Sequence, residues 1–425
     1  MRVGYYAASF PNAPSFAPLD GAVDTSVAII GGGFAGLNTA RSLVDRGIRD
    51  VVLLEAQEVG FGASGRNGGF VFSGYSLGEE ALLRRAGAER AKRLYARSVA
   101  AVQCIRDRVQ RHAIDCALVD AGVIWANWFT DAGILRHRQR VLAEHYDVAW
   151  QWMPREAVRE LLASERYADA LFERNALHLD PLRYAVGLAR SVAADGARVH
   201  EHSAARSIAR DGHGWRVDTA RGSVRAQHLV LATGGYLAGL DRRVDHAVLP
   251  IATYVMVTEP LGAQLEAAMR TRAAVYDTRF AFDYYRALPD TRLLWGGRIS
   301  ILDRNPQRIM RLLRRDLARV FPQLAQARIE HAWSGRMSYA RHQMPQVGGN
   351  GQGLWWGQAF GGHGLAPTTV AGEVLASAIA EADASWRDFE PFGLVESFRP
   401  VGCLAAQAGY WLAEARDAWK ERSER

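Results

Sequence analysis

Cysteine is scarce in this chain: Cys104, Cys116 and Cys403 are the only three among 425 residues. They have neither metal-ligand spacing nor the density of a disulfide scaffold, so isolated reduced thiols and no metal are expected. No apolar run approaches the length of a membrane span, and the segment after Arg2 lacks the apolar core of a signal peptide. A cytoplasmic protein with no membrane partner is therefore expected. Lysine is scarcer still. Lys92 and Lys420 are the only two, leaving 50 of the 52 basic residues as arginine. The formal charge of +7 does not point to nucleic acid, because basic residues are spread along the chain and mixed with acids. The run Arg311 to Arg315 reads as one solvated helix face. At 49% hydrophobic and 23% charged, the chain can bury one large two-part core or two linked ones.

What is present is concentrated between residues 27 and 55. Val27-Ala-Ile-Ile30 is an apolar run of the kind a parallel sheet buries on both faces. Gly31 permits a tight turn, Gly33 lets a pyrophosphate approach the backbone next to Phe34 and Ala35, and Gly36 lets the following helix pack close to the strand. That helix, Leu37 to Arg46, presents free N–H groups and a positive dipole end to the phosphate. Gly47 stops it, Val51-Val-Leu-Leu54 forms a second strand, and Glu55 ends that strand where a carboxylate accepts hydrogen bonds from ribose hydroxyls. Strand, turn, helix, strand and acid together predict a dinucleotide site, whereas a plain βα turn needs no acid.

The segments that follow choose FAD over a nicotinamide. Directly after Glu55 and Ala56, the stretch Gly60 to Gly69 holds five glycines in ten residues. Gly62, Ala63, Ser64, Arg66, Asn67, Gly68 and Gly69 are the expected contacts there. Leu229-Val-Leu-Ala232 is another buried strand, running into Thr233, Gly234 and Gly235. Trp355 to Gly364 is a third glycine-rich approach, ending in Gly361, Gly362, His363 and Gly364. Three such segments far apart in sequence suit a long cofactor buried along its whole length.

These segments, VGFGASGRNGG, LATGGY, YVMVTEP, LLWGGR, WSGRMSY and FGGHG, resemble the D-amino-acid oxidase and sarcosine oxidase superfamily, most closely its gamma-glutamylputrescine oxidase-like branch. The resemblance runs from about Tyr5 to about Glu381. It implies an FAD enzyme that oxidises the C–N bond of an amine or amino acid. No cysteine or histidine lies in Gly60 to Gly69 or in Trp333 to Tyr339, so noncovalent FAD is expected.

The fold expected is α/β, with a Rossmann-type FAD-binding domain interleaved with a substrate domain built on a mixed β-sheet covered by helices. Residues 24–79, 180–240 and 346–385 are assigned to the first, and 80–179 and 241–345 to the second. Residues 1–23, with Pro11, Pro14 and Pro18, read as a surface arm, and 386–425 as a C-terminal helical extension. Glu80 to Arg111 has helical apolar spacing. Asp180-Pro181 is an N-cap and first-turn pair for a helix to about Ala194. Strands are expected at Ile251 to Thr258 and Leu293 to Gly297, and a helix at Gln307 to Val320. A helix after Gly364, with Pro367 in its first turn, should point its positive end at the flavin, where negative charge gathers on reduction.

Amine oxidation requires the C–H next to nitrogen to lie over flavin N5 with the nitrogen deprotonated, which desolvation favours. Phe280 to Arg286 offers rings, the phenols Tyr284 and Tyr285, and a cation, and Tyr254 is a second source of a phenol. Arg286, Arg298 and Arg336 are the candidates for a bidentate clamp on a substrate carboxylate. His363 is the tempting base, although in this motif packing or hydrogen bonding near the cofactor suits it better. The arginine that D-amino-acid oxidases use falls near Met337, and the sarcosine oxidase lysine near Ala366, so both family clamps are missing. With no lysine well placed to activate oxygen, either O2 or another electron acceptor is compatible with the chain. The expected reaction is hydride transfer from a secondary amine or N-substituted amino acid, pipecolate-like or iminodiacetate-like, giving an imine that hydrolyses. The alternatives are a gamma-glutamylputrescine-type primary amine oxidase and a flavin-bound binding or RNA-modifying protein.

Overall fold

The strand that opens the dinucleotide motif is longer than its apolar run. It covers Gly21–Ile30 and lies between two parallel partners, Gly222–Leu231 on one side and Val51–Leu54 on the other, with Val27 opposite both His228 and Val51. This computed structural model describes residues 4–236, 239–301 and 305–424. The first three residues of the expected arm, residues 237 and 238 near the expected FAD-domain boundary, 302–304, and the last residue of the expected C-terminal extension lie outside the described residues.

The first sheet runs Gln346–Gly349, Leu354–Gln358, Gly222–Leu231, Gly21–Ile30, Val51–Leu54, Arg198–His200, with the hairpin Ser207–Asp211 and Gly214–Asp218 attached to Gly222–Leu231. Successive side chains of a strand point to opposite faces, and both faces of this one are covered. Val27, Ile29, Val51 and Leu53 join the core that includes helices Phe34–Asp45 and Leu365–Glu381. Ala28, Ile30, Val52 and Leu54 pack with Trp215, Val217 and Leu229 on the other side. Burial on both faces is why the run reads as unbroken hydrophobicity rather than alternation. The two helices touch through Gly372, where a Cβ would stand 2.6 Å from the backbone of Asn38.

The second sheet is mixed. Its order is Ile329–Tyr339, Leu249–Thr258, Leu293–Ser300, Tyr284–Ala287, Ala274–Asp277, Val123–Ala126, Ala170–Glu173, Gln151–Met153, and the pair Ala274–Asp277 with Val123–Ala126 is parallel. Helix Pro306–Val320 covers it through Ile309, Leu313, Leu317 and Val320. The chain thus enters the first sheet, leaves for the second, returns, leaves again and returns for Gln346–Gln358. This is the α/β architecture read from the motifs, with a dinucleotide fold and a mixed sheet threaded through each other.

Local rules explain the helix boundaries. Asp180 accepts from Leu182 N at 2.9 Å and Arg183 N at 3.0 Å to start Pro181–Ala194, and Asn305 does the same for Arg308 N at 2.9 Å. The helical stretch after residue 79 is two helices, Glu79–Ala86 and Ala88–Arg111, because Gly87 between them has φ +77°. The N-terminal segment, expected as a surface arm, is largely exposed or half-buried but is anchored by one buried ring. Tyr5–Ala8 forms a helical turn, and Tyr6 is only 1% exposed, edge-on to Trp333 at 5.7 Å. Scarce periodicity concealed one deeply anchored ring.

Candidate active site

Between the two sheets lies a cavity of about 1040 Å³. One end is the dinucleotide cradle. Gly31 has φ +118°, and a Cβ on it would stand 2.5 Å from Ala232 O, so the turn requires glycine. Gly36 approaches the strand so closely that a Cβ would fall 2.0 Å from Gly31 O. Glu55 turns its carboxylate back across the turn, accepting from Gly32 N at 2.7 Å and Gln57 N at 2.9 Å. Burial nonetheless raises its pKa above the ordinary value. Ser64 Oγ accepts from Phe34 N at 2.9 Å, joining the glycine-rich loop to the helix N-terminus. Asn67 braces that loop, donating to Ala63 O and Ser64 O and accepting from Gly69 N at 2.8 Å.

Gly31, Gly33, Phe34, Ala35, Glu55, Ala56, Gly62, Ala63, Ser64, Arg66, Asn67 and Gly68 all line this one cavity, together with Thr233 to Gly235 and Gly361 to Gly364. Gly36 and Gly69 do not line it; they act behind the wall, Gly69 with φ +79° against Leu179 O. Two helices, Phe34–Asp45 and Leu365–Glu381, begin on the cavity with glycine N-caps, Gly33 and Gly364, that offer no side-chain cap. The buried Thr233 Oγ1 has no hydrogen-bond partner. A carboxylate for ribose, glycine backbone for pyrophosphate, and two positive helix ends fit FAD along the full length.

The other end is aromatic and charged. His363 packs on Phe72 at 3.9 Å, Phe72 stacks on Tyr276 at 5.4 Å, and Tyr276 stacks on Trp125 at 6.2 Å. Arg138 closes this ladder, 4.4 Å from the Trp125 ring centre and paired with Glu79 at 2.7 Å. Burial works against the Glu79 carboxylate, but Arg138 outweighs it and holds the pKa below the ordinary range. Burial pushes His363 down to about 4, so near neutral pH it is uncharged and its ring Nε2 lies 3.3 Å from Phe72 O, as a donor in that tautomer.

Of the catalytic candidates, Tyr284, Arg298, Arg336 and His363 line the cavity, whereas Tyr254, Tyr285 and Arg286 do not. Tyr254 is 1% exposed and points into the core of the second sheet. Tyr285 stacks on Trp295 at 4.4 Å, because neighbouring strand residues face opposite sides and only Tyr284 can face the cavity. Arg286 is buried behind the glycine loop and donates to Gly68 O at 2.7 Å and Leu179 O at 2.9 Å. It braces the backbone and is not positioned as a clamp. Arg298 reaches the cavity but donates to both oxygens of Asp316, at 2.8 and 2.7 Å, and meets Glu414 at 3.5 Å. Arg336 is exposed on the rim.

Sequence reasoning missed Phe72, Trp125, Tyr276, Glu79, Arg138 and Arg279, which come from segments without glycine motifs. Arg279 pairs with Asp277 at 2.6 Å and with Asp283. The signal available was the charge and aromatic density of Asp277 to Tyr285, of which only the part from Phe280 onward was used. Neither Lys92, paired with Asp147, nor Lys420 lines the cavity.

Behind Phe72, Ser73 donates to the buried Glu173 through N at 3.1 Å and Oγ at 2.5 Å, while Glu173 Oε2 has no partner. Burial outweighs those bonds and pushes Glu173 up from 4.5 to about 7. Its folded form therefore keeps a proton that the unfolded chain has released, so this contribution to stability is full below pH 4.5 and lost as pH rises through 7. Glu173→Gln should abolish that slope: chemical denaturation should find it more stable than the parent above pH 7, by up to about 3 kcal/mol, and converging with it in acid.

Comparison with known proteins agrees with this geometry. Residues 26–378 match the family described as DAO, FAD dependent oxidoreductase. The chain is 32% identical over 374 residues to the gamma-glutamylputrescine oxidoreductase of Escherichia coli K12, covering 88% of this chain and 87% of the relative. It is 29% identical to a probable oxidoreductase, OrdL, of Haemophilus influenzae, over 91% and 90% of the two chains. Among solved structures, glycine oxidase from Geobacillus kaustophilus superposes with a TM-score of 0.73 at 22% identity, covering 88% of this chain and 99% of that one.

Proposed function

We propose, from the premise that this chain belongs to the DAO family of FAD dependent oxidoreductases, that it oxidises a CH–NH bond in an extended amine of the gamma-glutamylputrescine type. The observation that carries this reading is the charge state of the substrate end. Arg138, Arg279 and Arg298 line it, and each is already met by carboxylate: Glu79, then Asp277 with Asp283, then Asp316 with Glu414. Of these acids Glu79 and Asp277 themselves line the cavity, and the pairing leaves none of the three arginines as a bare positive charge. A free arginine fork inside the cavity is what a compact amino acid would need next to its reacting carbon. A protonated amine tail, by contrast, finds acid and the aromatic faces of Phe72, Tyr276 and Trp125.

Bound FAD supplies the acceptor for the hydride leaving the carbon next to nitrogen. The residues of this chain do the rest. Once the protonated amine has entered past those acids and ring faces, the exclusion of water by Phe72, Tyr276 and Tyr284 eases its loss of the proton, which the reacting nitrogen requires. Uncharged His363, tied to Phe72 O, packs at the glycine turn without adding a competing positive charge. Glu55 and Gly33 would hold the ribose and pyrophosphate, and the glycine-capped ends at Gly33 and Gly364 would stabilise negative charge. With water, the product imine then hydrolyses to an aldehyde and ammonia, as the primary amine of a gamma-glutamylputrescine-type substrate requires.

A second reading, oxidation of compact secondary amino acids such as pipecolate or iminodiacetate, relies on Arg336 at the rim. The two separate in an anaerobic mixing experiment that follows loss of the yellow FAD absorbance. Gamma-glutamylputrescine should bleach the enzyme at least about tenfold faster than pipecolate or iminodiacetate at equal concentration, one missing charged contact being enough for that ratio. Faster bleaching by either compact acid, or none by gamma-glutamylputrescine, sinks the proposal.

A further inference from the structure

The C-terminal helix, Val401–Ser423, separates polar from apolar residues only weakly, but its largest apolar side chains lie on the exposed side and not against the protein body. Its acids point inward. Glu414 meets Arg298, Asp417 accepts from Phe280 N at 2.7 Å, Glu421 pairs with Arg319 at 2.6 Å, and the capping Glu424 accepts from Thr130 N at 2.7 Å. Gln407 is buried against Ser300 and Ile301. The outward face is apolar: Val401, Leu404, Trp411, Leu412 and Trp419 are 67, 64, 59, 74 and 71% exposed, with Ala408 and Ala415 between them at helical spacing. From Val401 to Trp419 this stripe is roughly 27 Å long at 1.5 Å per residue. The exposed charged side chains of the helix are Arg416 and Arg422.

We propose that this face docks on an anionic lipid surface, lying in the headgroup region without crossing the bilayer. Tryptophan and leucine with basic flanks suit that environment, and among the described residues no helix is long and apolar enough to cross a membrane. Charge decides between occupants. Helix Pro306–Val320, joined to the C-terminal helix by the Arg319–Glu421 pair, adds exposed Arg308, Arg311 and Arg315. An anionic surface complements all of these. A second copy pairing face to face would bring the Arg416 and Arg422 of both copies into one interface, with no exposed acid on the helix to meet them. Tyr410, one residue from Trp411, lines the cavity opposite Phe280 at 5.6 Å, so docking sets the cavity mouth beside the lipid.

The absence of a membrane span, which led the sequence reading to expect no membrane partner, does not bear on a helix that lies on the surface. The test is flotation of the FAD-loaded full chain with phosphatidylcholine vesicles, with and without phosphatidylglycerol. The parent should float with the anionic vesicles, bind phosphatidylcholine alone at least about tenfold more weakly, and be released by salt. Trp411→Ser with Leu412→Ser and Trp419→Ser, and separately Arg416→Glu with Arg422→Glu, should each lose about tenfold or more in vesicle binding while retaining FAD. The charge-reversal pair lies on the exposed surface and keeps the test open should the apolar triple fail to fold. No flotation of the parent, or undiminished flotation of the charge-reversal pair, overturns the proposal. So does a dimer in solution that the triple converts to monomer while the parent ignores vesicles.

Discussion

Arg286→Met should lower stability by roughly 2 to 6 kcal/mol and strip FAD from the protein, since it leaves two buried carbonyls unpaired at about 1 to 3 kcal/mol each. Arg286 is 2% exposed, and its guanidinium donates to Gly68 O, to Leu179 O and, at 3.1 Å, to Tyr6 OH. Its remaining nitrogen lies 3.4 Å from His178 Nδ1. Burial, reinforced by Arg286, depresses the His178 pKa to about 3, so that ring is neutral and can accept. One side chain thus ties the N-terminal segment, the strand Leu177–His178 and the glycine loop into one wall. Methionine keeps the length and loses every donor. Thermal unfolding followed by release of FAD fluorescence should show a midpoint lowered by several degrees, and desalting should leave the variant paler than the parent. An unchanged midpoint with full FAD would mean that the loop is held by its own Asn67 bonds alone.

Gly36→Val carries a comparable penalty by a different route. The added Cβ would stand 2.0 Å from Gly31 O and 3.2 Å from Ile29 Cγ2, both in the strand and turn on which the cofactor rests. Backbone cannot step aside as a flexible side chain can, so a loss of more than about 4 kcal/mol is expected. The variant should be recovered insoluble or without FAD. Gly409→Ala is the control: nothing lies within 4 Å of its Cβ. Alanine in an exposed helix should be neutral or gain up to about 1 kcal/mol. A soluble, yellow Gly36→Val protein would contradict the packing role assigned to that glycine.

Legibility of the sequence followed the range of the interactions. The turn from Gly31 to Gly36 was readable because its constraints are local: one positive φ, one helix start, one close approach. The strands around it were readable because burial on both faces leaves an unbroken apolar run. The substrate end was not, since Glu79, Arg138, Trp125 and Tyr276 meet only after two sheets have formed, and no spacing rule connects them. Arg286 and Arg298 show a sharper failure. Each is an arginine near a glycine motif, yet one was bound to backbone and the other to Asp316, partners that lie too far away in sequence to be foreseen. Tyr284 and Tyr285 were adjacent and chemically alike, and only strand register told them apart.

The threaded topology has a consequence for how the protein must be made. Gly21–Ile30 lacks its main neighbour until residues 222–231 exist, and that strand in turn waits for Leu354–Gln358. A chain growing from the ribosome therefore carries unpaired apolar strands through most of its synthesis, and contacts so distant in sequence close slowly. Neither half can be cut out and expressed as a working module. Recombinant yield should depend on chaperone supply and on slow translation more than on the stability of the finished enzyme.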